Sequence, residues 1–106
     1  MPATLTEEEF SKHLNTAFHV TNREQPVDLT LTLVKGYLTK EHEEAGMERF
    51  SAFFSGPADR YLPQGIYSLE HEVMGTLDLF LVPITKDGKG FQYEAVFNYY
   101  KQRPKE

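Results

Sequence analysis

The side chains most able to do chemistry in this chain are Glu70, His71 and Glu72, three consecutive ionisable groups inside an otherwise apolar stretch. A carboxylate beside an imidazole is the raw material of general acid–base catalysis, provided both reach one reacting atom. The spacing argues against that. Tyr67, Leu69, His71 and Val73 alternate with Ile66, Ser68, Glu70 and Glu72, so on a strand the two glutamates share one face and His71 points to the other. Glu70 and Glu72 would then lie roughly 7 Å apart along a single strand. The paired carboxylates of a glycosidase must instead flank a cleft from opposite sides. His71, on the apolar face, is expected to be a hydrogen-bonded histidine in the core or at its edge.

The other reactive groups are weaker still. His42 with Glu41, Glu43 and Glu44 could take up a metal opportunistically, but a glutamate-rich loop lacks the fixed geometry of a selective site. His13 and His19 have no matching ligand spacing. Asp87-Gly88-Lys89-Gly90 is glycine-rich, yet no strand-to-helix transition follows it, so it reads as a hairpin tip and not a phosphate cradle. There is no Gly-x-Ser-x-Gly elbow. With no cysteine, disulfides, thiolate catalysis, cysteine zinc sites and iron–sulfur clusters drop out together. The expectation is a protein with no catalytic residues, no metal and no cofactor.

Eleven basic against sixteen acidic residues give a net charge of −5, which repels phosphate backbones and anionic membranes. Neither nucleic acid nor membrane is therefore an expected partner. The one basic cluster, Lys101, Arg103 and Lys105 around Pro104, reads as a flexible tail over 101–106, with residues 1–100 as a single domain. No basic run precedes an apolar stretch at the N-terminus and no 18 consecutive apolar residues occur, so a cytoplasmic location is expected.

The elements that must position these groups are mostly strands. Thr6 followed by Glu9 is a capping box, Leu5 and Phe10 fall at the staple positions, and Phe10 and Leu14 share a face, which predicts a two-turn helix over Glu7–Leu14. The period then changes to two. Phe18 and Val20, then Val27, Leu29, Leu31 and Leu33, alternate with polar residues, with a turn at Arg23–Pro26 between them. Gly36 is expected to bulge the end of the second strand, and Lys40–Glu48 to form a solvated loop.

Phe50, Ala52 and Phe54 mark the third strand, and Gly56–Gly65 a punctuated connection. Leu77, Leu79 and Leu81 follow a turn at Met74-Gly75, and Pro83 marks a strand end or edge. Phe91, Tyr93, Ala95, Phe97 and Tyr99 share a face of the last strand. Together these predict a mostly β (α+β) chain: a small antiparallel β-barrel or roll of about six strands, curled as a meander, with one short N-terminal helix plugging an end. A two-sheet β-sandwich is the alternative. The expected core joins Leu29, Leu31, Leu33, Phe50, Leu69, Leu79, Leu81, Tyr93 and Phe97.

Leu62-Pro63-Gln64-Gly65, Leu69-Glu70-His71-Glu72, Leu79-Phe80-Leu81-Val82-Pro83 and Tyr93-Glu94-Ala95-Val96-Phe97-Asn98 form a series over Phe50–Asn98. This series resembles an uncharacterised bacterial family described only as a domain of unknown function. The resemblance implies no activity, cofactor or catalytic residue. It does imply an accessory or assembly role in a phage-tail-like system.

Two functional classes follow. One is a non-catalytic protein-interaction or assembly module whose partner is another protein, a homo-oligomer included. The alternative is a small-ligand-binding barrel or minor enzyme, which would need a cavity lined by groups such as His71 and Tyr93. The candidate partner-binding residues are Arg60, Tyr61, Leu62 and Gln64, because Gly-Pro punctuation fixes the shape of their loop and Arg and Tyr are enriched at binding hot spots. A competing reading folds Tyr61 and Leu62 back over the open end of the barrel.

Overall fold

The computed structural model describes residues 6–21, 26–37, 41, 46–88 and 90–100. The elements are α1 (Glu7–Ser11), β1 (Ala17–Val20), β2 (Val27–Gly36), β3 (Met47–Gly56), β4 (Gly65–His71), β5 (Gly75–Asp87) and β6 (Gly90–Tyr100). The six strands close into an antiparallel barrel in the order β1-β2-β3-β6-β5-β4. A closed barrel replaces the sandwich alternative, and its order departs from a simple meander. Consecutive strands form hairpins up to β3, which then pairs along its whole length with β6, from Met47↔Tyr100 to Gly56↔Phe91. Closure is completed by β4 returning to β1, His19 opposite Glu70 and Val20 opposite Leu69.

The helix begins as its capping box requires: the Thr6 hydroxyl accepts from the Glu9 N–H at 3.1 Å. It is shorter than the predicted Glu7–Leu14, ending at Ser11. The chain must swing at once into β1, and Asn15, in the left-handed region at φ 66°, makes that reversal. Asn15 N–H then donates to the Leu31 carbonyl at 2.7 Å. Leu14 is consequently exposed and does not dock, while Phe10 is fully buried. Its ring meets Phe18, Phe50 and Phe97 at centroid distances of 6.3, 5.7 and 5.3 Å, so the helix plugs one end of the barrel through a single aromatic anchor. Leu5, the other staple residue, lies outside the described residues, as do 22–25, His42–Glu44 and 101–106.

Alternation sends Phe18, Val20, Leu29, Leu31, Phe50, Phe54, Leu69, Leu79, Leu81 and Tyr93 into one interior cluster. Leu33 is the exception among the expected core residues. A register shift between Leu31 and Leu33 turns Leu33 outward and brings Val34 against the core. The bulge therefore precedes Gly36, which stays in the ladder opposite Phe50. Pro83 does not end its strand either: a second shift between Pro83 and Thr85 accommodates the missing N–H, and β5 runs on to Asp87.

Val73 is exposed because β4 ends at His71, and Met74 fills the interior position instead. Gly75 takes φ 80° and closes the β4–β5 turn as expected. Glu48, expected in a solvated loop, lies in β3 and is buried. Its carboxylate accepts from the Glu7 N–H at 2.7 Å, satisfying a donor that the helix start leaves open. No helix among the described residues is long and apolar enough to cross a membrane.

Two substitutions test this packing. Phe50→Ala, which removes a fully buried ring beside Phe10 and Phe97, is expected to destabilise the protein by about 3–5 kcal/mol in urea unfolding. Thr6→Ala is expected to lose about 1 kcal/mol and to speed amide exchange of Glu9 first.

Candidate partner-binding site

The connection from β3 to β4 takes its shape from two buried phenols. Tyr93 points inward from β6, and a buried hydroxyl needs partners that neighbouring strands, already paired, do not supply. The loop supplies them. Leu62 N–H donates to the Tyr93 hydroxyl at 3.0 Å, and that hydroxyl points its own proton at the Arg60 carbonyl, 3.5 Å away. Tyr67, inward on β4, donates to the Pro63 carbonyl at 2.5 Å. Arg60 N–H reaches the Pro57 carbonyl at 3.4 Å. Burial raises the Tyr93 pKa above its ordinary value, with the Leu62 N–H opposing the rise.

The approach that makes this possible needs glycine. A Cβ on Gly56 would meet Leu29 Cδ2 at 2.8 Å and Tyr93 Cε2 at 3.0 Å. Gly90, at φ 147°, sits where a side chain would collide with the Gly56 carbonyl.

The four candidate residues separate on this frame. Tyr61 is 52% exposed, its ring 5.1 Å from that of Phe91. Arg60 is half-buried and Gln64 exposed. Leu62 is 1% exposed and packs into the core cluster, so it is withdrawn from any binding surface: its N–H must reach Tyr93, which draws its side chain inward. Of the reading in which Tyr61 and Leu62 fold over the barrel end, Leu62 follows it and Tyr61 keeps an open face.

Beside Tyr61, the Lys86 ammonium lies 5.4 Å from the centre of the Phe91 ring. On the other flank the loop borders an open depression of about 540 Å³ whose walls include Val27, Thr30, Ser55, Pro57, Asp59 and Arg60. The sequence did not place Phe91, Lys86 or this depression beside the loop. The one available signal was Tyr93, an inward hydroxyl on an apolar face that demands a partner from elsewhere in the chain.

The acid–base candidates do not converge. Glu70 and Glu72 are exposed, and His71 is buried. His71 Nδ1 accepts from the N–H groups of Val73 and Met74 at 3.0 and 3.1 Å, which places its proton on Nε2, facing the Thr16 hydroxyl at 2.9 Å. Thr16 passes its own proton to the His13 carbonyl at 2.5 Å. The imidazole thus ties the β4–β5 turn to the segment after the helix, and it has no lone pair left for a ligand. Tyr93 serves the loop between β3 and β4, so the two groups expected to line a shared cavity hold separate segments. His19 contacts Asp28 at 2.6 Å on the surface. No group of three or more histidine, aspartate or glutamate side chains able to hold a metal occurs among the described residues, and His42, Glu43 and Glu44 lie outside them.

The profile of one family, Domain of unknown function (DUF6916), matches residues 5–97. No curated protein and no solved structure matches the chain.

The His71 arrangement carries a pH dependence. Burial, and secondarily the nearby His13, lower its pKa from 6.5. Between the lowered value and 6.5 the unfolded chain binds a proton that the native state refuses. This group's contribution to stability is therefore complete above pH 6.5, declines as pH falls below it, and levels off beneath the native pKa. Urea midpoints measured from pH 7.5 to 5 should fall with pH, and less steeply in His71→Asn, whose side-chain oxygen can still accept from the turn.

Proposed function

Because the chain belongs to the family described as Domain of unknown function (DUF6916), from which no activity can be inherited, we propose from its geometry that it is a non-catalytic protein-interaction module acting in the cytoplasm. The observation that carries this reading is the loop between β3 and β4. A connection held at Leu62, Pro63 and Arg60 by buried tyrosine hydroxyls loses little conformational entropy on binding, and it offers Tyr61 and Arg60 to a partner in a fixed pose. The Tyr61–Phe91 pair and Lys86 extend the surface on one side, the open depression beside Pro57 and Arg60 on the other.

The small-ligand alternative has less support. Interior space that a ligand would use holds Phe10, Phe18, Phe50, Phe54, Tyr67 and Tyr93, and the two polar groups it would call upon are engaged by backbone and threonine.

The test is a pull-down with the intact protein and with Arg60→Ala and Tyr61→Ala. Each variant should keep the wild-type thermal melt and lose at least one specific protein partner, with Tyr61→Ala weakening the complex by about 2 kcal/mol if it is a hot spot. Recovery of every wild-type partner by both folded variants would contradict the reading.

A further inference from the structure

Where the segment after α1 meets the β4–β5 turn, one titratable group has a hydrogen-bonding role that a proton would cancel. His71 Nδ1 accepts from two N–H groups at once, Val73 at 3.0 Å and Met74 at 3.1 Å. An imidazole nitrogen accepts only while it carries no hydrogen, so both bonds require the neutral ring. In the imidazolium form Nδ1 is a donor aimed at two donors. Neither bond survives, and the N–H of buried Met74 loses its acceptor. The bond between Nε2–H and the Thr16 hydroxyl, at 2.9 Å, does not require the neutral form.

The surroundings hold the ring neutral. The His13 and His71 rings lie 4.7 Å apart, and the Phe18 ring covers His71 at 4.3 Å. The carboxylate of this cluster serves the other histidine: Glu9 Oε2 lies 3.3 Å from His13 Nε2, and Glu9 also meets the Lys12 ammonium at 3.6 Å. Burial opposes a charge on His71 most and His13 next, Glu72 favours it, and His19 adds a smaller opposition.

The bonds at risk are confined to the turn. Asn15 N–H donates to the Leu31 carbonyl at 2.7 Å and Leu31 N–H to the Thr16 carbonyl at 3.2 Å, so β2 holds the segment after the helix whatever His71 does. The β4–β5 ladder, from His71↔Gly75 to Gly65↔Leu81, is likewise independent of the imidazole. Between these anchors Val73 is 66% exposed, whereas Met74 fills an interior position at 3%. We propose that His71 is an acid-operated latch on this turn: a proton taken up at Nδ1 breaks the bonds to Val73 and Met74 and frees the turn, releasing Met74 toward solvent while the barrel stays paired. The latch is closed at neutral pH and opens as pH falls below 6.5, the value of the free side chain. It lies at the opposite end of β4 from the loop that carries Arg60 and Tyr61, so acid changes one end of the molecule and leaves the other as it is.

Amide exchange read by NMR tests this between about pH 7.5 and about pH 5, the range in which histidine titrates, with protection expressed relative to the free chain at each pH. Val73 and Met74 should lose protection as the ring resonances of His71 report its protonation, while the β3–β6 ladder keeps its own. His71→Asn, whose side-chain oxygen accepts but does not titrate, should abolish the loss. His13→Gln, which removes the neighbouring imidazole, should raise the pH at which His71 titrates and make the loss smaller, because the closed turn then tolerates the proton better. Protection at Val73 and Met74 that stays constant while His71 titrates overturns the proposal. So does a loss shared equally by the β3–β6 ladder, which marks general unfolding, or a loss of the same size in folded His71→Asn.

Discussion

The rest of the structure depends on where the hydroxyl of Tyr93 goes. Its ring belongs to the core and its position on β6 is set by alternation, so the phenol oxygen is carried into the interior whether or not a partner waits there. The partner is the backbone of a loop far away in sequence, at Leu62 and Arg60. One bond therefore joins the longest ladder of the barrel, β3 with β6, to the connection that launches β4. Gly56 makes room for the ring, and Gly90 makes room for Gly56.

The opposite end obeys the same logic with an imidazole. His71 leaves β4 pointing inward, takes two N–H donors from the turn that follows, and hands its own proton to Thr16. Phe10 closes the end above it with aromatic contacts alone. Each end of the barrel thus has a buried polar group whose hydrogen bonds go to chain segments outside the sheet. His71 and Tyr93, the two groups that a ligand cavity would have called upon, are both engaged in hydrogen bonds within the chain.

Much of this was legible in the residues. Alternation gave most of the inward residues, Leu33 and Val73 excepted, the Thr6 cap and the glycine at 75 fell where their chemistry predicts, and the expectation of a barrel with one plugging helix holds. Leu33 was misplaced because a bulge leaves no mark in a hydrophobic alternation that continues through it. Pro83 was read as a strand end or edge because sequence distinguishes neither from a bulge that spares the missing N–H. The order β3-β6-β5-β4 was hidden because strand pairing over long separations is set by closure, not by local pattern. Of the loop residues, Arg60 and Tyr61 could be singled out by type, but only the tyrosine bonds reveal that Leu62 anchors the loop while Tyr61 presents it.

The most direct test is amide hydrogen exchange on Tyr93→Phe, which keeps the ring and deletes the hydroxyl. Leu62 and the non-proline residues between Pro57 and Gln64 are expected to lose protection while β3 and β6 amides keep theirs. Unchanged exchange at Leu62 would contradict it, as would a uniform loss across the barrel, since either would mean that the hydroxyl does not hold the loop.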